Sequence, residues 1–237
     1  LYFPYFFHPD PTVKRQSGFL MPAFQNSNNS GASLQIPYYK VISDRKDVTF
    51  FPRLFFDNEI LLQTEYRQAN KNSDLILDFS LNNNDSSTKR HFFVDLESNK
   101  ENKEINFHLE TVSNDTYLKE NNIQSSINND VSLLYSYLNY SSNKTDSSLE
   151  ISFETYEDLN KGKTDRFEYI FPNFDYEKNL NSDDLSAKGE LIFNTRGFNK
   201  NYNTNSDETI LINELQYFSF SSISSYIDGL QNNYKFL

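Results

Sequence analysis

A chain of 237 residues with no Cys, no Trp, 6 Gly and 7 Pro is an unusual recipe for a globular enzyme. Hydrophobic residues make up 37%, below the roughly 45–50% usual for soluble domains, yet 22 Phe and 16 Tyr bring the aromatic share to 16%. The net charge of −11 offers no basic field to phosphates and excludes nucleic acid as a partner; zero Cys excludes disulfide scaffolds, thiol catalysis and Cys-ligated zinc.

No run of the chain reaches the roughly 18–20 apolar residues of a membrane-spanning helix. A β-barrel has a much weaker signal per strand and is not excluded. The sequence opens on Leu1-Tyr2-Phe3 with no initiator Met and no signal-peptide pattern, which predicts a segment of a longer protein.

Pro4, Pro9 and Pro11 lock φ and restrict the residues before them, so residues 1–16 read as a stiff extended connector rather than a helix. Lys14 and Arg15 close it. From Ser17 to the end there is no break in composition, and residues 17–237 read as one unit. Its first strand is predicted at Gly18 to Phe24 (Gly18-Phe19-Leu20-Met21-Pro22 and on) and its second at Ser33 to Tyr39. Pro22 and Pro37 fall inside them, where a proline removes a ladder N–H. Pro52 and Pro172 also interrupt predicted strands and read as ordinary bulge prolines.

Beyond this the pattern has period two. Ile60, Leu62, Thr64 and Tyr66 alternate with Leu61, Gln63, Glu65 and Arg67. Leu75, Leu77, Phe79 and Leu81 alternate with Ile76, Asp78 and Ser80, and Phe92, Val94 and Leu96 with Asp95 and Glu97. Ile105, Phe107 and Leu109 follow against Asn106, His108 and Glu110. Leu149, Ile151, Phe153 and Thr155 oppose Glu150, Ser152 and Glu154; later runs set Phe167, Tyr169 and Phe171 against Glu168, and Leu191 and Phe193 against Glu190. Each strand therefore has one apolar face and one acidic or amide face.

Polar tracts rich in Asn and Ser separate the runs and supply turn chemistry by side-chain capping. The longest, Asn114 to Asp130, predicts a single helical turn around Tyr117 to Asn121. The whole reads as an all-β, antiparallel up-and-down meander of roughly 11–13 strands, a partial outer-membrane β-barrel. Tyr38, Tyr39, Phe55, Phe56, Tyr66, Tyr156, Tyr169 and Tyr176 crowd the strand ends as an aromatic girdle would. A secreted β-sandwich or lectin-like module remains the alternative container.

Sites for covalent chemistry are hard to find. His8, His91 and His108 form no metal-binding motif and read as polar lumen or rim residues. No nucleophile elbow is present, and no carboxylate pair is marked for acid–base work. Gln63, Glu65, Arg67, Asp78, Asp95, Glu97, Glu110, Glu150, Glu154, Glu168 and Glu190 read instead as the wall of a hydrated lumen.

The stretch from Pro4 through Pro9-Asp10-Pro11 to Gly18-Phe19-Leu20-Met21-Pro22 resembles the entry of the periplasmic domain into the barrel in the LPS-assembly family LptD (OstA). Ile36-Pro37-Tyr38-Tyr39, the Thr-x-x-Pro-Arg pattern from Thr49 to Arg53, and Glu65-Tyr66-Arg67 follow in the family's order. The resemblance implies an outer-membrane translocon, not an enzyme and without cofactors, that inserts lipopolysaccharide into the outer leaflet. It implies a periplasmic connector, periplasmic bridge proteins of the Lpt system, and an LptE-like lipoprotein plugging the lumen. It also implies a lateral gate at the first strand, carried onto Gly18, Phe19, Leu20, Met21, Pro22 and Pro37, with Lys14 and Arg15 at the periplasmic rim. That pair reads either as solvated rim charges or as a guide for lipopolysaccharide phosphates. The family's disulfides cannot form within a chain that has no Cys. Another outer-membrane barrel, a porin or a plugged transporter, is compatible with the alternation alone.

Overall fold

The computed structural model describes residues 15–27, 31–56, 59–84, 87–162, 166–181, 188–201, 207–221 and 232–236. Lys14 and most of the proline-rich connector lie outside them. Among the described residues the alternating runs form fifteen strands in a single antiparallel sheet. They begin with β1 (Gly18–Phe19), β2 (Ala23–Ser27), β3 (Gly31–Gln35), β4 (Tyr38–Ser43), β5 (Lys46–Phe55), β6 (Ile60–Ala69), β7 (Ser73–Asn84), β8 (Ser87–Lys100) and β9 (Lys103–Val112). After a short helix α1 (Tyr117–Glu120) come β10 (Leu133–Asn143), β11 (Ser147–Asp158), β12 (Phe167–Asn181), β13 (Lys188–Asn201), β14 (Asp207–Ser221) and β15 (Asn232–Phe236).

From β4 to β15 each strand pairs with the next in sequence, as the meander predicts. The path runs open from β1 to β15, with no pairing between its two ends among the described residues. Thirteen strand positions lie along it, because the first two predicted strands are each split in two. β1 and β2 are separated by residues 20–22, and β3 and β4 by residues 36–37. The physical reason is proline: Pro22 and Pro37 each lack the N–H that would carry the ladder through.

Pro172 sits at a register shift between Ile170 and Asn173, and its peptide bond with Phe171 is cis. Pro52 departs from its bulge expectation. It lies within β5, and the β5–β6 register passes through Pro52↔Leu62 without a shift.

Cross-strand partners share a face, so the register sorts every side chain. Thr64↔Phe79, Phe79↔Phe92, Leu96↔Phe107, Phe107↔Leu138 and Leu138↔Phe153 run as one apolar band. That band is open: Phe92 is 42% exposed, Leu138 42% and Phe153 44%. The opposite face is polar, yet Asp78 and Ser80 are 0% exposed and His91 2%. A soluble domain buries its apolar face; here the burial is inverted.

What buries the polar face is the connection 113–132 between β9 and β10. It folds back over the sheet and brings α1, at the predicted position, onto β8. Tyr117, Leu118, Ile123 and Ile127 from this connection join Phe55, Leu61, Phe93, Leu134 and Leu159 in the one apolar cluster found among the described residues. Phe55 thereby leaves the predicted girdle for the covered face, whereas Phe56 is exposed. Tyr156 also turns to the polar face, where its hydroxyl donates to Glu154 Oε2 at 2.9 Å.

Candidate functional site

All eleven residues predicted for the lumen wall fall on the polar face. Gln63, Glu65 and Arg67 on β6 reach Asp78 through Glu65↔Asp78, and Asp78↔Phe93 carries the face to Asp95 and Glu97 on β8. Phe93↔Glu110, His108↔Tyr137 and Tyr137↔Glu154 continue it to β11, where Glu150 shares the parity of Glu154. Tyr156↔Glu168 and Asn179↔Glu190 complete it.

The two ends of this face differ. Over the halves of β5 to β9 nearer the 113–132 connection it is covered, and Arg53, Gln63, Glu65, Ser80 and Asn82 hold the cover, whereas Arg67 and Glu97 further along are exposed. Tyr117 Oη lies 2.6 Å from Ser80 Oγ, Ser80 Oγ 2.6 Å from His91 Nδ1, and His91 Nε2 3.2 Å from Asp78 Oδ1. The chain is satisfied in one direction, with Tyr117 donating to Ser80, Ser80 to Nδ1 and Nε2–H to Asp78. Gln63 Nε2 donates to both Asp78 oxygens, at 3.1 and 3.0 Å, and to the Gln124 carbonyl at 2.9 Å. Ser126 Oγ donates to Glu65 Oε2 at 2.7 Å, and Asn82 Nδ2 to Asn121 Oδ1 at 3.1 Å. The buried Arg53 guanidinium donates to the Asn121 carbonyl.

Local chemistry shapes the cover. Thr116 precedes α1; its N–H donates to Asn114 Oδ1 at 3.1 Å, and its Oγ1–H donates to Glu120 Oε1 at 2.7 Å. Asn121 Nδ2 donates back to the Tyr117 carbonyl at 3.0 Å, and Asn122 takes a positive φ of 45° as the helix ends, a conformation Asn tolerates. Burial pushes the Tyr117 hydroxyl up to about 12, so it stays a donor across the physiological range. Arg166, buried just before β12, pairs with Asp115 at 2.6 Å and with Glu157 at 2.8 Å and pins the start of the cover. Sequence reasoning found the helical turn but missed the cover. The available signal was the Tyr117-Leu118 and Ile123…Ile127 apolar positions inside an otherwise polar tract.

Over β10 to β13 the polar face is open. A cleft of about 490 Å³ is lined there by Asn139, Ser141, Glu150, Asp175, Glu177 and Asn194, among others. Carboxylates and amides dominate it, and phosphates find no cation in its wall. No group of three or more His, Cys, Asp or Glu suited to a metal ion occurs among the described residues.

At the other edge lie the residues predicted for the gate. Gly18↔Tyr39 and Phe19↔Tyr38 are the two residue pairs of β1 with β4, and the Phe19 and Tyr38 rings meet edge-on with centroids 5.0 Å apart. Leu20 N–H donates to the Pro37 carbonyl at 2.9 Å. Phe19, Leu20, Met21 and Pro22 are exposed, and Pro37 is buried. Arg15 Nη1 pairs with Asp47 Oδ2 on β5 at 2.8 Å, reaching past β4 to do so.

Fold and faces together define a class: an all-β, antiparallel up-and-down sheet of the partial-barrel kind, with one exposed apolar face and one polar face that a folded connection partly covers. The comparisons narrow this. No family model matches the chain. The chain is 38% identical over 74 residues to the LPS-assembly protein LptD of Pseudomonas entomophila, covering 31% of this chain and 8% of that protein. It is 31% identical over 126 residues to LptD of Idiomarina loihiensis (51% and 16%), and 36% identical over 78 residues to LptD of Ralstonia nicotianae (33% and 10%). These matches bear out the resemblance to the LptD family, and they span a small part of each relative's length. The relatives are described as assembly proteins, not as enzymes. Among solved structures, a bacterial polysaccharide outer membrane secretin aligns over 83% of this chain and 81% of its own, at 13% identity and a TM-score of 0.28, which carries no argument about fold or function.

Proposed function

We propose that this chain forms the N-terminal part of the barrel of an outer-membrane lipopolysaccharide-assembly protein of the LptD kind, with residues 1–16 as the periplasmic connector and 17–237 as barrel wall. The observation that carries the reading is the inverted burial: an open apolar band from Leu62 to Phe153 backs a polar face closed by residues 113–132. Lipid on the apolar side is the solvent that makes this arrangement favourable. The likeness to LptD supplies the cargo.

In this reading the short turns, such as 44–45, 70–72 and 101–102, lie at the periplasmic end with Arg15, and the 113–132 cover descends from the cell surface. Lipopolysaccharide arrives from the periplasmic bridge, its sugars pass along the polar face, and its acyl chains leave beside Gly18 to Pro22. Pro22 and Pro37 keep that seam weak, because each withholds a ladder hydrogen bond. An LptE-like lipoprotein occupies the lumen beside the uncovered half of the wall. The chain needs no cofactor for this, since no bond is made or broken.

The test is replacement of Pro22 and Pro37 together by strand formers in the full-length protein. Slower lipopolysaccharide export at unchanged protein level supports the gate; normal export contradicts it. Charge reversal at Arg15 separates its two roles. Reduced lipopolysaccharide crosslinking at the rim supports a cargo contact, and unchanged crosslinking leaves Arg15 as the partner of Asp47 alone.

A further inference from the structure

Pro52 belongs to the same level of the sheet as Pro22 and Pro37. The register Tyr38↔Phe50 and Gln35↔Arg53 sets Ile36 opposite Pro52, and Ile36 N–H donates to the Pro52 carbonyl at 3.2 Å. On the other side of the second strand, Phe19↔Tyr38 sets Leu20 opposite Pro37, and Leu20 N–H donates to the Pro37 carbonyl at 2.9 Å. A hydrogen-bonded antiparallel pair normally exchanges two bonds. In both pairs only one can exist, because Pro37 and Pro52 have no N–H to return. Two consecutive residues, Ile36 and Pro37, thus hold half a rung to each neighbour. Across from them the first strand passes from Leu20 opposite Pro37 to Ala23↔Gln35, so Met21 and Pro22 stand where one residue would do.

Three prolines, one per strand, therefore mark a single line across two seams. Above the line, β2 and β3 form a hairpin with five residue pairs, tied to β5 through Ser33↔Phe55, Leu34↔Leu54 and Gln35↔Arg53. Below it, β4 pairs with β5 from Tyr38 to Ser43, and β1 adds two pairs. We propose that Pro22, Pro37 and Pro52 together form a transverse hinge, about which the β2–β3 hairpin swings as one unit, with Pro52 the positioning residue on the fixed side. This rests on the gate reading for its purpose but on the register for its mechanics. The moving part is then a hairpin carrying the exposed Phe24 on its outer surface, not the first strand alone.

The test is hydrogen exchange of the full-length protein in lipid nanodiscs. In the wild type, amides of residues 23–36 exchange faster than those of β6. Pro52→Val returns an N–H opposite the Ile36 carbonyl, and one added hydrogen bond is expected to slow exchange at Ala32 to Ile36 by about fivefold. Unchanged exchange in a folded Pro52→Val protein overturns the hinge, whatever export does. Slowed exchange with slowed export supports hinge and gate together; slowed exchange with normal export supports the hinge and sinks the gate reading. Should Pro52→Val fail to assemble, spin labels at Phe24 and Ile60 in an otherwise wild-type protein give the second reading. A broad or two-peaked distance distribution supports the swinging hairpin, and a single narrow peak overturns it.

Discussion

Tyr117 Oη and Ser80 Oγ, 2.6 Å apart and 37 residues apart in sequence, join the cover over the polar face to the strand beneath it. Both side chains are fully buried, so neither has water as an alternative partner. Tyr117→Phe removes the bond and leaves Ser80 with His91. The expected cost is about 1 kcal/mol, against about 3–5 kcal/mol for Tyr117→Ala, which also opens a cavity. Protease cleavage within residues 113–132 reads the difference: slightly faster for Phe, much faster for Ala. Equal rates for both variants would mean that packing of the ring contributes nothing beyond the hydroxyl's bond.

The cover is also sensitive to acid. Hydrogen bonds from Thr116 Oγ1 and from Lys89 Nζ hold the Glu120 carboxyl below its usual range. A carboxyl whose folded value is depressed stabilises the fold above its unfolded value and loses that contribution as pH falls through the folded one. Protection factors of amides in α1, which correct for the intrinsic pH dependence of exchange, should thus fall on acidification below the ordinary carboxylate range. Lys89→Met should bring the onset to higher pH; an unchanged onset would remove Lys89 from the account.

Gly197 is a packing prediction for the far half of the sheet. A Cβ there would stand 2.5 Å from the Phe171 carbonyl oxygen, at the β12 register shift, whereas one at Gly162 would meet nothing within 4 Å. Gly197→Ala is expected to loosen the β12–β13 pairing and lower the heat-unfolding temperature seen by gel mobility. Gly162→Ala is expected to leave it unchanged. Similar behaviour of the two variants would contradict the β12–β13 register.

The two faces predict opposite tolerance to charge. Phe92→Arg puts a guanidinium on the open apolar band and should cost about 2–4 kcal/mol in a bilayer, with loss of assembled protein. Glu97→Arg, on the polar face two strand residues beyond Asp95, should assemble normally. Equal assembly of both would favour a sheet in water on either side.

Much of this arrangement was legible in the sequence because a strand's period of two is a local property. The alternation from Ile60 to Thr195 assigned Gln63, Asp78, Glu110 and Glu154 to one face, and the register agrees residue by residue. Tyr117 to Asn121 read as a helical turn for an equally local reason. What the sequence did not disclose is nonlocal. Pairing Tyr117 with Ser80, or Arg53 with Asn121, requires a 20-residue connection to fold back over four strands. Pro52 was read as a bulge because a lone proline in a strand is usually one; only the register revealed that it shares a level with Pro22 and Pro37. Phe55 and Tyr156 looked like girdle aromatics, since strand-end position is visible in sequence and the burial given by the distant 113–132 connection is not.

The central claim is that lipopolysaccharide leaves beside the first strand of this wall. Photoreactive side chains placed one at a time at Phe19, Met21 and Phe153 in the full-length protein, in cells, test it most directly. All three positions are exposed, and Phe153 lies on the same apolar band far from the first strand. Lipopolysaccharide adducts at Phe19 and Met21, with none at Phe153, are the predicted result. Adducts of equal yield at all three positions, or none at Phe19 and Met21 while export proceeds, would contradict it.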